Sequence, residues 1–95
     1  MELEVEASVL VNEGGVQCVA VVFARLPTGA AQLQVGDEAF LGGVRVARLD
    51  QALARSRGPG LVAFVLEDAM EARSFQPGDR VHLDDRGVYS PPLGT

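Results

Sequence analysis

The chain has 95 residues, 47 % of them apolar, with one cysteine and a formal net charge of −5. That length makes one domain and buries roughly 60–65 % of the unfolded surface, enough for one core. Without a run of about 18 apolar residues there is no membrane helix, without a second thiol no internal disulfide, and thirteen acids against eight bases disfavour non-specific binding to nucleic acid or anionic lipid.

Met1-Glu2-Leu3-Glu4-Val5-Glu6 is acidic and alternating, unlike the basic start and apolar block of a secretory signal. With the lone Cys18 this places the expectation in a reducing, cytoplasmic setting. From Leu3 to Val11 the odd residues Leu3, Val5, Ala7, Val9 and Val11 share one face, and Glu2, Glu4, Glu6 and Ser8 the other. Period two with charges outward predicts a half-buried strand whose glutamates guard its edge. Asn12-Glu13-Gly14-Gly15 is a turn. The second strand, Val16 to Leu26, is apolar on both faces: Cys18, Ala20, Val22 and Ala24 against Val19, Val21 and Phe23.

Pro27-Thr28-Gly29 ends that strand, and Ala30 to Val35 predicts a third. Gly36-Asp37 is a corner that launches Glu38 to Leu41, because Gly accepts positive φ and Asp hydrogen-bonds nearby backbone. Gly42-Gly43 between two β-rich runs predicts a hairpin. Asp50-Gln51-Ala52-Leu53-Ala54-Arg55 holds good helix formers behind a capping Asp50, but is short enough to predict a single turn or a loop. Leu61 to Leu66 is a strand, again apolar on both faces, and Glu67 to Arg73 predicts another helical turn. Phe75 is expected to tuck into the core. The corner Gly78-Asp79 then launches the last strand, Arg80 to Asp84. The barrel domain is expected over residues 1–87, with a Pro-containing tail over 88–95.

These elements predict an all-β fold: a small closed or nearly closed Greek-key-like barrel of six to eight short strands, with one or two single helical turns. The order of corners resembles the β-barrel of translational GTPases, the second domain of elongation factor Tu and its relatives. Gly14-Gly15 matches that family's first turn. Leu33-Gln34-Val35-Gly36-Asp37 with Ala39-Phe40-Leu41 matches its central motif, and Val46-Ala47-Arg48-Leu49 resembles the strand before its variable loop. Gly60 to Leu66 resembles the penultimate strand, and Phe75-Gln76-Pro77-Gly78-Asp79-Arg80-Val81 the closing one. The resemblance spans about residues 5 to 83 and implies the fold. It does not imply GTP hydrolysis: the chain has no lysine and so no phosphate-binding loop of that type. The family's Thr-Gly segment after the second strand is replaced here by Val22-Phe23-Ala24-Arg25-Leu26.

Candidate chemistry is sparse. Cys18 sits in an apolar strand and is expected to be a buried, inert thiol. His82 and Asp84 share a strand face with Asp85 following, which makes a weak metal pair and, at most, the basis of a small metal-dependent enzyme. Asp37 and Asp79 are expected to serve their turns. Glu67, Asp68 and Glu71 form an acidic patch that could face a basic partner. Arg45, Arg48, Arg55 and Arg57 form the one locally basic region, a candidate phosphate or RNA contact without interleaved aromatics. The doubly apolar strands are the strongest clue. A small barrel has one inside, so Val19, Val21 and Phe23, or Val62, Phe64 and Leu66, need cover from the chain's own loops or from an interface. The expectation is therefore a non-catalytic binding barrel, without cofactor or nucleotide, whose partner is a protein or a second copy, with RNA second and no membrane.

Overall fold

The computed structural model describes residues 2–15, 17–26 and 39–85. In them lie β1 (Glu2–Glu13), β2 (Gln17–Arg25), β3 (Ala39–Leu41), β4 (Val44–Leu49), α1 (Gln51–Arg57), β5 (Leu61–Leu66), a 3-10 helix (Ala69–Ser74) and β6 (Arg80–Asp85). The strands close into a barrel in the order β1-β2-β5-β4-β3-β6, every pair antiparallel. Closure removes most of the free edge that an open sheet would leave. The expected all-β barrel is thus present, with six strands among the described residues. The predicted strand Ala30 to Val35, the Gly36-Asp37 corner and the boundary between residues 1–87 and the tail 88–95 lie outside the described residues.

The interior follows from alternation. Ala20, Val22 and Ala24 of β2, and Val62, Phe64 and Leu66 of β5, point inward with Leu41 and Leu83. Phe75, 4 % exposed, joins this core from the segment before β6, as the sequence predicts. The other faces of β2 and β5 carry Val21, Phe23, Ala63 and Val65. They are buried as well, because α1 lies over them and contributes Leu53 and Ala54. Val62, Phe64 and Leu66 are therefore core residues, not interface residues. Val21 and Phe23 do face outward, but the chain's own helix covers them; Val19, further out, is half-buried.

α1 is longer than a single turn. Asp50 caps it, accepting from the Leu53 N–H at 3.0 Å, while its own N–H donates to the Ala63 carbonyl at 3.0 Å. One contact fixes the helix start and the other ties it to β5.

In β1 the face assignment changes part-way. Leu3 and Val5 point into the barrel, whereas Ala7 packs with the outer cluster, and Val9 and Val11 against it. A bulge between Val5 and Ala7 inserts Glu6 and turns every later side chain over. The single stripe expected from Leu3 to Val11 is in fact two. Glu6 stays at the surface, near Arg57 at 3.4 Å and Arg25 at 3.8 Å.

The corners take the backbone that glycine permits. Gly42 and Gly43, at φ +59° and +87°, turn β3 into β4. Gly78, at φ +93°, leads into β6, with Asp79 accepting from the Gln76 N–H at 3.0 Å. A Cβ on Gly78 would meet no atom within 4 Å, so the cost of a side chain there is backbone strain alone. Gly78→Val is expected to lower unfolding free energy by about 1–2 kcal/mol in urea titration; a wild-type midpoint would contradict this assignment.

Candidate functional site

The basic region does not form a free patch. Arg45 pairs with Glu67 at 2.8 Å and Arg48 with Asp50 at 3.3 Å. Arg57 pairs with Glu6 and also sits 5.1 Å from the Phe23 ring centroid. Arg55 is exposed on α1, apart from these pairs. Three of the four arginines thus carry their own counter-ions, which weakens the field a phosphate would meet. The acidic patch is modified in the same way: Glu67 serves Arg45, Asp68 caps the 3-10 helix by accepting from the Met70 N–H at 2.9 Å, and Glu71 accepts from the Ser74 hydroxyl at 3.0 Å.

His82 is exposed on β6, and Asp84 is half-buried on the same face opposite Phe40 of β3. Both line a shallow cavity with Gly42 and Gly43. Among the described residues no group of three His, Cys, Asp or Glu side chains could hold a metal ion. Cys18 is exposed, against the expectation of a buried thiol. It shares the parity of the inward Ala20 and Val22, but lies on the hairpin beyond the point where β5 pairs with β2.

What the structure brings together lies at that hairpin. β1 pairs with β2 from Glu4 to Glu13, but with β6 only through Glu2, Leu3 and Glu4. Val5 makes the last backbone contacts on that side, donating to the Asp79 carbonyl at 2.7 Å and accepting from Gly78 at 2.8 Å. From Ala7 to Asn12 this edge has no backbone partner among the described residues. The glutamates expected to guard β1 do not guard this part: Glu2 and Glu4 lie where β6 already pairs.

The direction of the free groups follows from strand geometry. Leu26 donates to Gly60 at 2.9 Å, on the β5 side of β2. Backbone groups alternate sides along a strand. Ala24 and Val22 therefore face β5, while Phe23, Val21 and Val19 face β1 and answer Ala7, Val9 and Val11. Ser8, Leu10 and Asn12 are left with N–H and C=O groups directed away from the sheet.

Beside that edge runs a groove of about 720 Å³. β1 supplies Ala7, Ser8 and Leu10; the 3-10 helix supplies Ala69, Met70, Ala72 and Arg73. The segment Phe75, Gln76 and Pro77 completes the lining. The Ser8 hydroxyl donates to the Ala72 carbonyl at 2.7 Å and holds helix and strand together. Leu10 and Met70, 60 % and 63 % exposed, are the exposed large hydrophobic residues of the described chain, and both line this groove. The sequence reading passed over both. A signal for Leu10 was present: it is an apolar residue on the parity of Glu2, Glu4, Glu6 and Ser8. Met70, inside an acidic stretch, gave none.

No family model, curated protein or solved structure matched the chain. No helix among the described residues is long and apolar enough to cross a membrane.

One titration is legible. The Leu53 N–H, with a smaller contribution from Arg48, holds the Asp50 carboxyl below its ordinary value. A depressed folded-state pKa stabilises above the unfolded value of about 3.9, and the stabilisation is lost as pH falls through the folded value. Asp50→Ala is expected to cost about 1 kcal/mol near neutral pH, with the gap to wild type narrowing in acid. Urea titrations at the two extremes check both parts.

Proposed function

We propose that this chain is a non-catalytic, protein-binding barrel of the translation-factor type, and that its recognition surface is the groove between β1 and the 3-10 helix. The observation that carries the reading is the coincidence of the two exposed large hydrophobic residues of the described chain, Leu10 and Met70, in one groove beside a strand edge that has no backbone partner among the described residues. Apolar side chains kept at a concave surface favour a partner that removes them from water, at roughly 25 cal/mol per Å². The closed antiparallel barrel, and the Gly78-Asp79 corner before its last strand, support the resemblance to translation-factor barrels. The pairing of Arg45, Arg48 and Arg57 with acids favours protein over RNA as the partner. A second copy is the less favoured occupant, since each chain carries a net charge of −5.

The test is affinity purification from the source cells with wild type and with Leu10→Glu/Met70→Glu. Both positions are exposed, so the double variant is expected to melt within a few degrees of wild type. The expected result is a protein retained by wild type and lost from the variant. Equal retention by both would remove the groove from the function.

A further inference from the structure

We infer that the groove takes an extended peptide segment, added as a strand along Ala7–Asn12 of β1, with apolar side chains at every second position. This rests on the protein-binding reading and names the form of the partner. The free edge supplies the first argument. Ser8, Leu10 and Asn12 each direct one N–H and one C=O away from β2, and an extended backbone matches that spacing over about 13 Å. An amphipathic helix keeps its backbone groups to itself and would leave them unanswered. The side chains supply the second. Leu10 and Met70 flank the same edge, and a strand presents alternate residues to one side. Among the described lining residues Arg73 is the one that carries a charge, so the peptide face is apolar rather than ionic.

Two other occupants fit less well. In a second copy, β1 is already joined along its other edge to β2, so it would bring a two-stranded ribbon. The groove is walled by β1 on one side and by the 3-10 helix on the other, and the Ser8–Ala72 bond at 2.7 Å keeps the walls close. Residues 86–95 follow Asp85, and Asp85 lies past Glu2 at the opposite end of β1 from Leu10, since His82 already faces Glu2.

The experiment pans a displayed library of random ten-residue peptides against the full-length chain and measures the enriched peptides by titration. Enriched sequences are expected to alternate apolar and polar residues. Leu10→Pro and Asn12→Pro each remove one outward N–H and leave the bonds to β2 in place. Each is expected to fold and to weaken peptide binding at least about tenfold. Met70→Glu should weaken it as well. Peptides lost on Met70→Glu but bound normally by both proline variants would leave the groove its partner and overturn strand addition. An empty selection overturns it too, as does a wild-type dimer in light scattering that Leu10→Pro dissociates. Unfolding of both proline variants would show that these amides face β2, which also overturns the proposal.

Discussion

A six-stranded barrel has room for only one side of each strand, and here β2 and β5 are apolar on both. That constraint shapes everything outside the barrel. Val22, Phe64 and their neighbours fill the interior, and Val21, Phe23, Ala63 and Val65 are left on the outer wall. Covering a side chain of Val or Phe size is worth about 1.5–3 kcal/mol. A seven-residue helix is marginal alone; laid across this wall and capped by Asp50 it becomes a lid for the second cluster. The lid also consumes the surface that a dimer interface on Val21 and Phe23 would need.

The second constraint is a mismatch of lengths. β1 runs for 12 residues, and β6 meets only the first three. The bulge at Glu6 falls where the two strands part company. Before it, odd residues of β1 face the core; after it they face outward and extend the cluster under α1, while Ser8 and Leu10 turn toward the 3-10 helix. The same departure that flips the side chains leaves the edge without a partner among the described residues. Groove, exposed Leu10 and open hydrogen-bonding groups thus share one physical origin.

Much of this is legible in the residues, and what is not has an identifiable reason. Gly42-Gly43 and Gly78-Asp79 announce their corners because few other residues accept that backbone. Asp50 announces a cap and Phe75 an anchor. Alternation shows that β2 and β5 have two apolar faces, but not which face is inside; that depends on strands far away in sequence, such as Leu41 and Leu83. Hence Phe64 could be read as an interface residue when it is fully enclosed. Cys18 reads as core by parity, and only the length of β5 shows that nothing covers it. The bulge at Glu6 has no sequence mark, since neither glycine nor a break in polarity accompanies it. The groove depends on that bulge and on the packing of the 3-10 helix, so it emerges only when the chain is folded.

Beyond Val5, β1 carries a directed edge with no backbone partner among the described residues. Amide hydrogen exchange of the free protein at low concentration tests it residue by residue. An alternation is expected, with Ala7, Val9 and Val11 protected by β2 and Ser8, Leu10 and Asn12 exchanging fast. Uniform protection from Ala7 to Asn12 would mean that the edge is already paired, which contradicts an open edge on β1.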